Sequence, residues 1–296
     1  VHYSALNYKD ALALTGAPGV VRTPPLIPGI DIAGIVQESA SAEISVGTPV
    51  VITGYGYGEN RHGGLATTVI AEPQHVIAVP ESLSLRDAAT FGTAGLTAAL
   101  ALRALEAHGL TPTSSALPVA VSGAAGGVGS LALALLSRAG YQTTAITGRT
   151  DESEYLEKLG AGGVLSRQEF LAQPHRPLLG EQFAGAIDQA GSQMLATLLA
   201  STEGDGVVAS CGLAAGADLA TTVLPFILRG ISLIGINSVF QSQDVRSAIW
   251  DDFAAGASSL PLDQIAHEIA LEEVLEQAPR VLSGATRGRV VVRVRD

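Results

Sequence analysis

A chain of 296 residues that is 47% hydrophobic and 15% charged holds enough apolar material for one large or two ordinary domains and is not a disordered polymer. Its net charge of −11 argues against a nucleic-acid surface while leaving room for a local basic pocket for phosphates. The single cysteine, Cys211, excludes an intramolecular disulfide and a multi-cysteine zinc site, and no apolar stretch approaches the roughly 20 residues of a spanning helix. A soluble protein of a reducing compartment, the cytoplasm, with no nucleic-acid or membrane partner is therefore expected.

The chain opens on VHYSALNY, which lacks the charged n-region and apolar core of a signal peptide and reads as the middle of a strand. Asn7-Tyr8-Lys9-Asp10 leads into a short helix stopped by Gly16; Asn7 and Asp10 have cap and N3 spacing, which serves helix capping or a ligand equally well. Tyr8, an aromatic hydroxyl at a helix start, either faces a pocket or lies half-buried at the surface. From residue 24 to residue 80, short strand-like runs alternate with proline and glycine: IVQES, GTPVVITG, LATTVIA and HVIAVP. They predict a small, partly closed β domain. Between two of them, GYGYGENRHGG permits close backbone approach and suits either a pocket rim or a long hairpin connection. Leu83 to His108 reads as two helical segments around FGTAGLTA.

Residues 118–149 then carry the strongest signal. Val119 to Val121 is a β-type run, Ser130 to Ala139 has helix-forming composition closed by Gly140, and Thr143 to Ile146 is a second strand. Such a parallel pair needs a crossover of this length. The turn reads Ala124-x-Gly126-x-x-Gly129, a dinucleotide fingerprint with alanine at its first position. Gly126 lets backbone approach a pyrophosphate, Gly129 lets helix pack on strand, and the helix N-terminus supplies free N–H groups. Where an acidic side chain would hold a ribose 2′-hydroxyl, the second strand ends in Thr147, Gly148 and Arg149. A guanidinium there pairs a 2′-phosphate, so NADPH is expected over NADH. The competing reading makes Arg149 a solvated charge with Asp151 turned inward; Asp151 and Glu154, however, are spaced as a helix cap and its N3 partner.

The alternation continues with a helix at 152–159, strands near 163–165 and 184–188, a helix at 192–200, a strand at 206–210 and ISLIGIN at 231–237. Six parallel strands with crossovers make an α/β fold with a complete doubly wound sheet, whose ligands lie at the carboxyl ends of the strands. Those ends are Ser122, Thr147, Ser166-Arg167, Asp188, Cys211-Gly212-Leu213 and Asn237-Ser238. Arg167 adds a second cation for a 2′-phosphate, while Cys211 reads as a small buried thiol rather than a nucleophile. The tail predicts a helix around 243–254, a helix at 271–282 and the strand RGRVVVRV. Arg287 and Arg289 are either guards of an edge strand or phosphate contacts. This last strand is expected to rejoin the first domain, giving an outer domain of residues 1–94 and 240–296 around a dinucleotide-binding domain of residues 95–239. The six histidines show no paired zinc spacing, GIDIAG offers no histidine or cysteine, and there is no GxSxG elbow, so no metal is expected.

The stretches SALNYKDALALTG, PLIPGIDIAG, VVITGYGYGEN, FGTAGLTA, SGAAGGVGS, ITGR, CGLAAGADLATTVLPFILRG, ISLIGINSV and GRVVV span nearly the whole chain. Together they resemble the medium-chain dehydrogenase/reductase superfamily, in its zinc-free quinone-oxidoreductase-like part and, more closely, the acrylyl-CoA reductase branch. The resemblance implies a GroES-like β-rich catalytic domain split around a Rossmann domain, with further strands before SALNYKD. It implies NADPH contacts at Tyr8, at Ala125, Gly126, Gly127 and Val128, at Thr147, Gly148 and Arg149, and at Arg167, Leu213, Ile227 and Ser238; from the residues alone Ile227 reads as core. Where the family carries tryptophans in the glycine loop, this sequence has Tyr55 and His62. The implied reaction is reduction of acrylyl-CoA to propionyl-CoA, with Tyr8 as the catalytic residue that orients the substrate or protonates the enolate. A quinone or another α,β-unsaturated carbonyl compound is the alternative small-molecule substrate, and Arg22, Arg61 and Arg229 are scattered candidates for CoA phosphates or plain surface charges. A non-catalytic NADPH-binding protein is the third reading. ISLIGIN, as a sheet edge, is expected to pair across a two-fold axis in a homodimer.

Overall fold

The computed structural model describes residues 1–295 and contains two units, Val1–Leu96 with the segment from Ser238 onward, and Thr97–Asn237. In chain order the first elements are β1 (Tyr3–Leu6), α1 (Tyr8–Leu14), β2 (Asp31–Ile35), β3 (Pro49–Thr53), β4 (Ile77–Ala78) and α2 (Leu85–Ala107). Then come β5 (Val119–Ser122), α3 (Gly127–Arg138), β6 (Thr143–Thr147), α4 (Ser153–Lys158), β7 (Gly163–Ser166), α5 (Arg167–Leu171), β8 (Phe183–Asp188), α6 (Ser192–Ser201) and β9 (Thr202–Ser210). The chain ends with α7 (Leu224–Arg229), β10 (Ser232–Gly235), α8 (Gln243–Gly256), α9 (Leu262–Ile265), β11 (Ala266–Ala270), α10 (Val274–Leu282) and β12 (Arg289–Arg293).

The second unit is a six-stranded sheet in the order β10-β9-β8-β5-β6-β7, parallel throughout. Strands buried on both faces must be apolar along their whole length, and β5 and β8 are buried at every position. Ala120, Ile146, Ala186 and Val208 form a core with Leu195 and Leu198 of α6. β5, β6 and β7 succeed one another to one side and β8, β9 and β10 to the other, so the order reverses between β5 and β8. That reversal is where a doubly wound sheet opens a crevice for ligands.

In the first unit the order is β11-β12-β1-β2-β3-β4. β12 runs antiparallel to β1, pairing Leu6 with Val290, and β11 runs parallel to β12. The C-terminal strand is therefore interior, flanked on both sides, which removes the edge-guard alternative for Arg287 and Arg289. β11 itself was not expected: AHEIA is short and half polar, and it becomes a strand because β12 offers it a ladder. Conversely, LATTVIA forms no strand. Its neighbourhood bonds a loop instead, with Gly63 N–H donating to Ile27 O, Gly64 N–H to Gly29 O and Leu65 N–H to Pro28 O, and Ile70 stands almost fully in solvent.

α2 corrects one expectation, that no apolar stretch approaches the length of a spanning helix, and bears out another, that Leu83 to His108 holds two helical segments. It is long and apolar enough in composition to cross a membrane, yet 72% of that apolar window is buried inside the protein. It is broken at Gly92, which has φ 45° and ψ −149°, a conformation that favours glycine. Around the break, Phe91 stacks on Phe253 with centroids 4.1 Å apart, and Trp250 meets Phe253 edge-on at 5.4 Å.

Candidate functional site

β5 ends in Ser122 and turns at Gly123, whose φ of +56° suits a residue without a side chain. Gly126 caps α3 with no side chain of its own, and Gly126 to Val128 are half-buried. A Cβ on Gly129 would stand 2.5 Å from Gly123 O and 2.7 Å from Ala124 Cα, so only glycine lets the helix start this close to the strand. The first N–H groups of α3 have no intrahelical acceptor and carry the positive end of the helix dipole. This cradle fits a pyrophosphate.

At the end of β6, Thr147 is buried and its Oγ1 accepts the Arg149 N–H at 3.0 Å. The Arg149 guanidinium folds back to donate to Ala125 O at 3.0 Å, so it lies against the fingerprint turn. From the next strand end, Arg167 covers Gly148: a Cβ there would be 3.0 Å from its Cζ and Nη2. The structure thus brings Ala125, Gly148, Arg149 and Arg167 together. Asp151 is exposed in a short 3-10 turn and makes no cap bond; Glu154 instead pairs Lys158 at 2.7 Å. The capping expected of Asp151 and Glu154 is therefore not formed, because α4 begins later, at Ser153, after that turn.

Across the reversal, Ser122 Oγ donates to Asp188 Oδ1 at 2.6 Å, and Asp188 accepts N–H groups from Ala190 and Gly191. Burial holds the Asp188 carboxyl above the usual carboxylate range despite these donors. Cys211 Sγ lies 3.3 Å from Asp188 O, and burial, then the neighbouring Asp188 charge, pushes its thiol up to about 12. A thiol so protonated is no nucleophile near neutrality, in line with the sequence reading. Leu213 and Ile227 are 59% and 67% exposed, so Ile227 is not core.

Tyr8 and Ser238 belong to the first unit. Tyr8 opens α1, is 38% exposed, and its hydroxyl has no hydrogen-bond partner among the described residues. Beneath it lies a charged network that sequence reasoning missed. Asp31 and Arg289, 1% and 2% exposed, pair at 2.9 Å. Asn7 bridges them, donating Nδ2 to Asp31 at 2.8 Å and accepting from Arg289 at 2.7 Å, while Thr93 donates N–H and Oγ1 to Asp31. Asp10 accepts the Asn7, Gly29 and Ile30 N–H groups, and burial raises its carboxyl to about 6. Arg289 is thus consumed inside the fold and is not a phosphate contact. Asn7 and Asp10 form half of the expected cap, but the Asn7 side chain serves the ion pair. The one available signal was a charge set inside each of two apolar runs, GIDIAG and GRVVV.

The glycine loop is fixed by aromatic contacts. Tyr55, at φ 52°, stacks on His75 with ring centroids 4.1 Å apart, and the Arg246 Cζ lies 4.2 Å from the centroid of the Tyr55 ring. Arg246, 1% exposed, donates to Thr53 O, Ser238 O, Val239 O and Gln241 O. Of the scattered cations, Arg22 and Lys9 meet Glu59, Arg61 meets Glu72, and Arg229 bonds the carbonyls of Leu179, Ala200 and Thr202. Among the described residues no three His, Cys, Asp or Glu side chains lie together as a metal site.

Residues 127–254 match the zinc-binding dehydrogenase family and residues 1–81 match the alcohol dehydrogenase GroES-like domain. The acrylyl-CoA reductase AcuI of Ruegeria pomeroyi is 42% identical over 99% of this chain and 88% of its own length. The crystal structure of E. coli K-12 YhdH with bound NADPH superposes with a TM-score of 0.95 at 44% identity, over 100% of this chain and 90% of that one. That of Bacillus subtilis YhfP with NAD bound, a protein named for quinone oxidoreductase activity, gives 0.92 at 40% identity, over 99% and 89%. Fold, fingerprint and these likenesses agree: the chain belongs to the medium-chain dehydrogenase/reductase superfamily, in the zinc-free branch that includes the acrylyl-CoA reductases and quinone-oxidoreductase-like proteins.

Proposed function

We propose that this protein is an NADPH-dependent reductase of an activated carbon–carbon double bond, with acrylyl-CoA as substrate and propionyl-CoA as product. The observation that supports it most directly is the pair of cations after β6 and β7, Arg149 against Ala125 O and Arg167 over Gly148, where a ribose carrying a 2′-phosphate would lie, in a chain 42% identical to an acrylyl-CoA reductase. Gly126, Gly127 and Val128 would hold the pyrophosphate with main-chain N–H groups, and the exposed Leu213 and Ile227 of the same unit would contribute apolar contacts. Bound NADPH supplies a hydride to the β-carbon of the thioester. The chain's own part is to hold the alkene in line, to stabilise negative charge developing on the thioester oxygen, and to deliver a proton to the α-carbon. Tyr8 is suited to that last step: its hydroxyl has no hydrogen-bond partner among the described residues, and the network at Asn7 fixes the start of α1.

One observation favours a second acceptor. Arg61 pairs with Glu72 and Arg229 bonds carbonyls, while Arg22 stands exposed 3.9 Å from Glu59; three cations so dispersed make a poor clamp for CoA phosphates and suit a quinone or a simple unsaturated carbonyl compound. NADPH deuterated at its transferable position distinguishes the readings. Deuterium at the β-carbon of propionyl-CoA is expected; turnover of quinones with no labelled thioester would replace the first reading by the second. The enzyme is further proposed to be a cytoplasmic homodimer built on the unpaired side of β10, the end strand of its sheet. A solution mass equal to a single 30.1 kDa chain would contradict the dimer.

A further inference from the structure

Gln189 follows Asp188 at the end of β8, where the strand order reverses, and none of the contacts described so far uses its side chain. Its backbone is fixed on two sides. The Gln189 N–H donates to Ser122 Oγ at 3.0 Å, and Ser122 is itself bonded to Asp188. Gly212 packs against the Gln189 backbone so closely that a Cβ on Gly212 would stand 2.9 Å from Gln189 Cα. The side chain has no such anchor. Its Oε1 leans over the fingerprint turn, 3.3 Å from where a Cβ on Gly123 would be, and its Nε2 is shut from solvent with no hydrogen-bond partner among the described residues.

Leaving a buried amide donor unmade costs about 1–3 kcal/mol, and leucine or methionine would fill the same space without that cost. A carboxamide left open beside the fingerprint turn suits a ligand that offers it both a donor and an acceptor. The direction of the dinucleotide says which part of it arrives there. Arg149 and Arg167 stand at the ends of β6 and β7, on one side of β5, and Gln189 stands on the other side, at β8. With the 2′-phosphate at the two arginines and the pyrophosphate at the first turn of α3, the nicotinamide half would extend past β5 toward β8. Ribose hydroxyls both donate and accept, as a carboxamide does with its two ends, and rotation about the terminal bond exchanges those ends without moving the rest of the side chain.

We propose that Gln189 is a cofactor-binding residue whose carboxamide hydrogen-bonds the ribose of the nicotinamide half of NADPH. This rests on the placement of the 2′-phosphate at Arg149 and Arg167. The test titrates the ligand-free protein with NADPH and, separately, with 2′,5′-ADP, which carries the 2′-phosphate but lacks the nicotinamide half. Gln189→Leu is expected to weaken NADPH by roughly three- to tenfold, the worth of one neutral hydrogen bond, and to leave 2′,5′-ADP affinity within about twofold. Gln189→Met serves the same purpose if leucine disturbs the turn. Unchanged NADPH affinity overturns the assignment. Equal weakening of both ligands also overturns it, because the amide would then be supporting the turn rather than the ribose. Arg149→Ala is the separate arm for the orientation: loss of affinity for both ligands is expected, and loss for neither rejects the 2′-phosphate placement without altering the Gln189 comparison.

Discussion

The Arg149 guanidinium reaches the fingerprint turn at Ala125 O, and the Arg167 guanidinium covers Gly148 at the end of β6. Truncating Arg149 to alanine is expected to weaken NADPH by roughly 10- to 100-fold, the range for hydrogen bonds to a charged partner, while NADH changes little. Calorimetric titration of both cofactors checks this; equal effects on the two would contradict it. Tyr8→Phe is expected to lower turnover by roughly 100-fold, within the range for general acid catalysis, with NADPH affinity changed less than about threefold. Full turnover in that variant would pass the proton role to solvent. Asp10 sets a pH dependence. Because its folded pKa of about 6 exceeds the unfolded 3.8, the folded protein holds a proton between those values that the unfolded chain lacks. The Asp10 contribution therefore grows as pH falls through 6. Wild type is expected to gain about 1 kcal/mol on Asp10→Asn between pH 7.5 and 5 in urea unfolding, and a constant difference would contradict it. The strand ends that carry Arg149 and Arg167 were legible in the sequence because each is a local property, an apolar run meeting a polar stop. The Asp31–Arg289 pair was not, since its partners are 258 positions apart and nothing local announces that they meet.

At the scale of elements, glycines decide where backbone and charge come close. A Cβ on Gly92 would overlap Asp31 Oδ2 and stand 2.7 Å from Arg289 Nη2, in a conformation with φ 45°. Gly92→Ala is therefore expected to destabilise the fold by roughly 2–4 kcal/mol, combining overpacking with backbone strain. Denaturant unfolding measures it, and a loss below about 0.5 kcal/mol would mean that the break in α2 relaxes freely. The parallel sheet was readable because strands buried on both faces are apolar runs separated by helices. β11 and LATTVIA were misread for the converse reason. In the mixed sheet of the first unit, a short half-polar segment becomes a strand when a neighbour offers a ladder, and an apolar one stays irregular when a loop takes its hydrogen bonds first.

For the whole molecule, the division of labour follows from what each unit holds. One carries a glycine turn and two arginines at the ends of parallel strands; the other carries a half-exposed phenol over a buried ion pair. The first set suits a dinucleotide that carries phosphates, and the second presents a hydroxyl suited to proton transfer. The most direct measurement is the initial rate of reduced-nicotinamide oxidation, followed by absorbance, with acrylyl-CoA and with a small quinone, each offered with NADPH and with NADH. Rapid oxidation of NADPH by acrylyl-CoA, with NADH slower by at least about tenfold, is the expected result. Equal rates with both cofactors, or no oxidation by acrylyl-CoA in a protein that binds NADPH, would contradict the account.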